Sequence, residues 1–215
     1  MESSRPQVIF FDAVGTLFGI KGSVGQIYAA IAQQYGVEVA PQTIDWAFGP
    51  AFRAAGNPAF PDVDPSELAA REYTWWRDVA IATFNQADVL PQFADFEAFF
   101  DTLFHHFATA TPWDLYDDTI STLSQIRDAG ITLGVISNFD SRLYKVLEAL
   151  SLSDFFRSIT ISTEVGVAKP DVQIFQVALQ QHNCVPSQAW HIGDSLEEDY
   201  RAATTAGLRG IWLQR

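Results

Sequence analysis

The sequence predicts an α/β protein whose core is a doubly wound parallel sheet and whose first strand is followed by an inserted helical domain. From Leu115 onward, short apolar runs alternate with segments of helical period, which is typical of a parallel sheet with helices on both faces. Residues 19–109 show helical periodicity, so they form an insertion. We therefore expect a Rossmann-like core from 1–18 and 110–215, and a helical insertion from 19–109.

The first strand is predicted at Val8–Phe11, a short apolar run that stops at Asp12. Helical periodicity follows, with Gly36 as a stop signal and prolines marking a loop near the middle of the block. The predicted helices of the insertion are Ser23–Gly36, Thr43–Ala55, a segment from Pro65 to Phe84, and Phe93–Thr109.

The second part of the chain alternates regularly between the two kinds of element. Strands are predicted at Ile131–Ile136, Ser158–Ile161, Ala189–Ile192 and Gly210–Leu213. Helices are predicted at Asp118–Ala129, Ser141–Leu150, Pro170–His182 and Glu197–Ala206.

Composition excludes several classes of function. Thirteen basic residues stand against 26 acidic ones, and the net charge of -13 without a Lys/Arg cluster argues against nucleic-acid binding and against anionic membranes. No stretch approaches the length of a membrane span, and the single cysteine, Cys184, excludes an intramolecular disulfide. We expect a cytoplasmic protein. Nothing in the sequence fixes its oligomeric state.

Loops of unusual chemistry lie near the ends of the predicted strands. Asp12 follows the first strand, Ser137-Asn138 the second, and Asp194 the fourth, while Lys169 lies beyond the third. Successive strand ends gather at one side of a doubly wound sheet, so these side chains should meet there. A carboxylate can act as a nucleophile, two aspartates suit Mg²⁺, and a lysine stabilises developing negative charge.

Four segments in this order, FFDAVGTL, VISNFD, GVAKPD and HIGDSLEED, resemble the motifs of the haloacid dehalogenase superfamily. They extend over nearly the whole chain, and the helical insertion resembles that family's cap. REYTWWRDVAIATF and VISNFDSRL further resemble its hydrolase-domain-containing 3 subgroup. The resemblance implies a Mg²⁺-dependent hydrolase that acts on a small phosphorylated substrate.

The resemblance also implies roles for individual residues. Asp12 corresponds to the catalytic nucleophile and a metal ligand, and Lys169 to the catalytic lysine that also binds phosphate. The other implied phosphate-binding residues are Thr16, Ser137 and Asn138, and the other implied metal ligands are Asp194, Asp199 and the main-chain carbonyl of Val14. Glu197 and Glu198 are interpreted instead as acidic residues that favour a helix N-terminus.

Val14 departs from the family pattern, because the phosphatases usually carry an aspartate there as general acid and base. A group of that kind contributes on the order of 10²–10⁴-fold to a rate. The sequence therefore leaves three hypotheses. They are a Mg²⁺-dependent hydrolase of a small phosphorylated metabolite, a catalytically weak protein that binds a phosphorylated ligand or a partner, and a 2-haloacid dehalogenase. The third is disfavoured because dehalogenases need no metal and lack the Gly193-Asp194 pair.

Overall fold

The computed structural model describes residues 5–215, so the first four residues of the expected core segment lie outside the described residues. Its main sheet has five parallel strands in the order β5-β4-β1-β6-β7. These strands are β1 (Val8–Phe11), β4 (Thr132–Ser137), β5 (Ser158–Ile161), β6 (Ala189–Gly193) and β7 (Arg209–Trp212). The first strand of the chain is therefore central, and the predicted doubly wound architecture is confirmed.

Helices occur where the apolar period predicts them. In the insertion they are α1 (Val24–Gln34), α2 (Pro41–Ala55), α3 (Leu68–Gln86) and α4 (Phe96–His106). In the second part of the chain they are α5 (Thr119–Asp128), α6 (Arg142–Ala149), α8 (Val172–Gln181) and α9 (Ala202–Thr205). A short helix that the sequence pattern does not predict, α7 (Ser162–Val165), precedes α8. No helix in residues 5–215 combines the length and the hydropathy needed to cross a bilayer.

A short antiparallel pair, β2 (Phe18–Ile20) with β3 (Trp113–Leu115), lies where the chain enters and leaves the helical insertion. The sequence pattern does not predict it, because three residues are too few to display a period of two. Phe18 is fully buried and packs edge-on against Trp113 at 5.2 Å between ring centroids. The pair therefore fixes both connections of the insertion at one point.

The segment Glu197–Ala206 is helical as predicted, but it is not a regular α-helix throughout, since Leu196–Arg201 forms a π-helical turn before α9. The reason is visible in the backbone, because the N–H groups of Asp199 and Tyr200 both donate to the carbonyl of Ser195. The wider turn accompanies a buried Asp199 side chain. Such turns occur often at functional sites.

The sheet has a hydrophobic cluster on each face, and the helical insertion has its own. Alternate residues of β1 supply the two faces, with Ile9 in one cluster and Phe10 in the other. The insertion's cluster is rich in phenylalanine and is centred on Phe84, Phe99 and Phe100. It can thus bury its own apolar residues without the sheet.

Buried polar groups join the insertion to the loops at the carboxyl side of the sheet. Glu72 of α3 is buried and accepts hydrogen bonds from the N–H and hydroxyl of Ser141 and from the hydroxyl of Thr163. Trp76, one turn later, donates to Asp140 at 2.7 Å, and Asp140 also pairs with Arg142. The insertion is therefore docked against the loop that follows Ser137, the last residue of β4.

Candidate active site

The carboxyl ends of three adjacent central strands bring the predicted site residues together. Asp12 directly follows β1, Ser137 ends β4, and Asp194 follows β6. Lys169 comes from the loop between α7 and α8 and reaches the same place. Ligands bind at this position in open α/β sheets, where connections from the central strand diverge to both sides.

Asp12 is held through only one of its carboxylate oxygens. Its Oδ1 accepts a hydrogen bond from Nζ of Lys169 at 2.7 Å and another from the hydroxyl of Ser137 at 3.0 Å. Its Oδ2 has no hydrogen-bond partner among residues 5–215. One oxygen is thus oriented, and the second stays available for a ligand or a reaction.

Lys169 is almost completely buried, with 2% of its surface exposed, between two carboxylates. Its Nζ lies 2.7 Å from Oδ1 of Asp12 and 2.5 Å from Oδ1 of Asp199. Burial alone would lower the pKa of Lys169, but the charges of Asp12 and Asp199 outweigh burial and raise this pKa above its ordinary value. The lysine therefore carries a fixed positive charge at the site.

Asp199 is held from three sides. Besides Lys169, Nε2 of His191 lies 2.9 Å from its Oδ1, and the N–H of Ser195 donates to its Oδ2. Burial acts to raise the pKa of Asp199, yet Lys169 and His191 together lower it below the usual range. Burial lowers the pKa of His191, so its imidazole is neutral and serves as a hydrogen-bond donor to Asp199.

Three carboxylates form a group that fits a divalent cation. Single oxygens of Asp12, Asp194 and Asp199 lie within 4.8 Å of one another. Burial, followed by the charges of Asp12 and Asp199, raises the pKa of Asp194. Lys169 offers one positive charge against these three acids, and oxygen ligands of this kind suit Mg²⁺.

Two glycines allow the acidic loops to approach closely. Gly15 has φ of 90°, and a Cβ there would lie 2.4 Å from Oδ2 of Asp194. A Cβ on Gly193 would lie 2.1 Å from Cγ of Asp199. Any side chain at either position would displace a carboxylate of the site.

Thr16 and Asn138 lie at the site, but their side chains already have protein partners. The Thr16 hydroxyl donates to Oδ1 of Asp194 at 3.3 Å. The Asn138 side-chain amide makes two hydrogen bonds with the main chain of Lys169. It accepts one from the N–H at 2.8 Å and donates one to the carbonyl at 2.9 Å. In this structure both side chains position other site residues.

Glu198 belongs to the site, although sequence reasoning assigned it only to a helix terminus. It is half-buried beside the site carboxylates and accepts hydrogen bonds from Asn138 and from Asn57, which follows α2 in the insertion. Asn57 also donates to the carbonyl of Lys169. In the sequence, the only indication that Glu198 lies at the site is its position next to Asp199 in the last motif. Nothing in the sequence around Asn57 indicates a site residue. Glu197 instead pairs with Arg201 on the surface.

Val14 lines the Asp12 pocket and also an apolar cavity beneath the helical insertion. Its side chain therefore occupies the boundary between the polar site and an aromatic-lined space. The valine side chain has no proton to donate at this position.

The sequence profile of the haloacid dehalogenase-like hydrolases matches residues 6–207. The chain is 35% identical over 206 residues to mouse haloacid dehalogenase-like hydrolase domain-containing protein 3, covering 95% of this chain and 80% of that protein. Two solved structures share the fold. A phosphatase from Thermococcus onnurineus has a TM-score of 0.62 at 22% identity, with coverage of 97% and 86%. L-2-haloacid dehalogenase from Xanthobacter autotrophicus has a TM-score of 0.66 at 18% identity, with coverage of 94% and 75%.

The profile match includes all four site loops and four of the five strands of the sheet, and it ends just before β7. The resemblance inferred from the motifs around Asp12, Ser137, Lys169 and Asp194 is thereby confirmed, including the similarity to the domain-containing 3 relatives. The chain belongs to the haloacid dehalogenase-like hydrolase family.

Proposed function

We propose that this hydrolase is a Mg²⁺-dependent phosphatase that removes the phosphoryl group of a small substrate through a covalent intermediate on Asp12. The observation that carries the proposal is the asymmetry of Asp12. Its Oδ1 is held by Lys169 and Ser137, and its Oδ2 has no partner among the described residues. An oriented carboxylate with one unengaged oxygen is suited to nucleophilic attack.

The proposed reaction has two displacements at phosphorus. Oδ2 of Asp12 forms a bond to phosphorus as the bond to the ester oxygen breaks, and that oxygen leaves with the electron pair. The expelled oxyanion takes a proton from solvent. Water then attacks phosphorus, the bond to Asp12 breaks with its electron pair returning to the carboxylate, and both protons of the water depart with the inorganic phosphate. The buried charge of Lys169 and the hydroxyl of Ser137 lie where negative charge develops in both steps.

Mg²⁺ fits the carboxylate group, with Asp12, Asp194, Asp199 and the main-chain carbonyl of Val14 as proposed ligands. When bound, the ion offsets the repulsion between these acids and the phosphoryl oxygens. Both oxygens of Asp199 already accept hydrogen bonds, so this residue also positions Lys169.

We further propose that residues 19–109 act as the cap of the site, with the core at 1–18 and 110–215. Asn57 contacts the carbonyl of Lys169, and Glu72 and Trp76 bind the loop that follows Asn138. These contacts support a docked position in which the insertion covers the site and reduces the access of water.

The proposal is tested with purified protein, Mg²⁺ and a panel of phosphate esters that includes aryl and acyl phosphates. We expect phosphate release that EDTA abolishes. Asp12→Asn should reduce kcat/KM by roughly 10⁴-fold or more, as expected when a nucleophile is lost. Asp128→Asn, an equal charge change at an exposed position on α5, should have no effect. Full activity in Asp12→Asn, or none in the wild-type protein on any ester, would contradict the proposal.

Val14 specifically favours a second candidate, a protein that binds a phosphorylated ligand but turns it over poorly. In that case orthophosphate or an alkyl phosphonate would bind with Mg²⁺ in calorimetry, while even activated esters would be hydrolysed only slowly. A haloacid dehalogenase predicts chloride release from a 2-haloacid without metal. The clustered acids of the site favour a bound cation and therefore disfavour this activity.

A further inference from the structure

An apolar cavity of about 200 Å³ lies between the helical insertion and the sheet. It shares Val14, Asn138 and Phe139 with the pocket that contains Asp12, so the two spaces adjoin. Its walls are largely aromatic. The aromatic residues include Phe48, Phe52, Trp76, Phe104, Phe107 and Trp113.

The cavity offers no uncompensated charge. Its one charged residue, Arg142, is paired with Asp140 through two hydrogen bonds of 2.7 and 2.8 Å and donates to the carbonyl of Phe104. Burial raises the pKa of Tyr28, so its side chain is neutral.

The size of the cavity sets the size of its occupant. A dry protein cavity of about 150 Å³ binds benzene. The space beside Val14 is somewhat larger, so a single ring with a small substituent fits and a second large group does not. A charged or heavily hydroxylated group would lose its hydration against aromatic walls.

The side chain of Val14 is a second, independent reason to expect an aromatic leaving group. Because valine cannot protonate the departing oxygen, the leaving group must be stable as an anion. A phenol has a pKa of about 10, whereas an alkoxide is nearly as basic as hydroxide, whose conjugate acid water has a pKa of about 15.7. A phenolate leaves without a proton donor, and an alkoxide does not.

We propose that the apolar cavity binds the leaving group of the substrate, and that this group is a neutral, single-ring aryl moiety attached directly to the phosphoryl oxygen. The inference rests on the proposed phosphatase function and extends it by naming the substrate class. It makes Val14 a specificity-determining residue with two effects, since it lines the cavity and leaves the ester oxygen without a proton donor.

The first test is binding, measured by calorimetry with Mg²⁺ present. Phenylphosphonate should bind at least roughly 10-fold more tightly than methylphosphonate, the gain expected from burying one ring. Val24→Trp, which fills the cavity from α1, should remove this preference while methylphosphonate still binds. Ile27→Trp, on the same helix but outside the cavity lining, should keep it.

A second filling variant, Ile20→Phe on β2, guards against misfolding of Val24→Trp, and thermal unfolding checks both. Equal binding of the two phosphonates by the wild-type protein would overturn the cavity assignment and leave the phosphatase proposal standing. If neither phosphonate binds, the phosphoryl site itself is wrong and both proposals fail.

The second test is turnover of three phosphoryl substrates that separate ring binding in the cavity from the stability of the leaving group. Phenyl phosphate has the ring and a stable leaving group, benzyl phosphate has only the ring, and acetyl phosphate has only the stable leaving group. We expect kcat/KM for phenyl phosphate to exceed that for benzyl phosphate at least roughly 10-fold, and KM for phenyl phosphate to lie at least roughly 10-fold below that for acetyl phosphate. An equal or higher kcat/KM for benzyl phosphate, or an equal or lower KM for acetyl phosphate, would overturn the proposal.

Discussion

Nζ of Lys169 lies 2.5 Å from Oδ1 of Asp199, slightly closer than its 2.7 Å separation from Oδ1 of Asp12. The buried lysine is therefore bound at least as closely by the carboxylate that supports it as by the proposed nucleophile. His191 holds that supporting carboxylate in turn, since its Nε2 lies 2.9 Å from the same oxygen. A chain of three side chains thus sets the position of the charge beside Asp12.

Replacing Asp199 with Asn tests this chain. Lys169 would lose one of the two carboxylates that hold its Nζ, so its charge would be less well positioned beside Asp12. The kcat should fall roughly 10–100-fold, the usual effect of removing such a supporting contact. Exposed Asp128→Asn is the control. An unchanged kcat at saturating Mg²⁺ would show that Asp199 does not position Lys169.

Replacing Val14 with Asp should restore a proton donor next to the proposed nucleophile. We expect kcat/KM for an alkyl phosphate to rise by about 10²–10⁴-fold. We expect kcat/KM for phenyl phosphate to fall, because the new carboxylate would lie against the apolar cavity that is proposed to hold the ring. Val14→Asn is the matched control, since it is polar and similar in size but cannot transfer the proton. Equal gains in both variants would show that acid catalysis is not what the wild-type site lacks.

Mg²⁺ should stabilise the protein through Asp194. The pKa of this carboxyl is raised in the folded state, so its ionised form opposes folding, and stability falls as pH rises through that pKa. Mg²⁺ at about 100 times its Kd adds about 2.7 kcal/mol, or roughly 5–10 °C in Tm for a chain of this size. In Asp194→Asn we expect a higher Tm in EDTA and a much smaller response to Mg²⁺. An equal response in both proteins, measured by calorimetric melting, would rule out Asp194 as a ligand.

Replacing Glu72 with Gln should loosen the helical insertion from the sheet. The buried carboxylate accepts three hydrogen bonds from Ser141 and Thr163, and each bond to a charged group contributes about 1.5–3 kcal/mol. We expect the free energy of unfolding to fall by about 2 kcal/mol or more, with faster hydrogen exchange in the loop after Asn138. Glu97→Gln breaks the exposed pair with Arg77 and should cost less than about 1 kcal/mol.

Much of the fold follows from the sequence because its elements are long enough to show a period. Alternation after Leu115 predicts the parallel sheet, and the end of β1 predicts the position of Asp12. The β2–β3 pair is too short for such a signal. The π-helical turn at Leu196–Arg201 occurs together with the contact of Asp199 with Lys169, a tertiary contact that no local pattern displays.

The residues of the candidate site also divide into those that a local sequence pattern predicts and those that depend on tertiary contacts. Residues that directly follow strands, such as Asp12 and Asp194, are predictable because the sheet gathers their positions. Asn57 and Glu198 are not, since their contacts depend on how the insertion docks. The sequence also cannot show that the Asn138 amide is already occupied by the main chain of Lys169.

The position of Val14 on two walls at once constrains how this enzyme can change. A single substitution there alters the shape of the aromatic cavity and the protonation of the leaving group together. An acidic side chain that gains activity on alkyl esters would also place a charge against the ring-binding surface and weaken it. Activity on both kinds of substrate would therefore require a second, compensating substitution in the insertion. A single acidic substitution at Val14 supplies a proton donor but does not keep the cavity apolar.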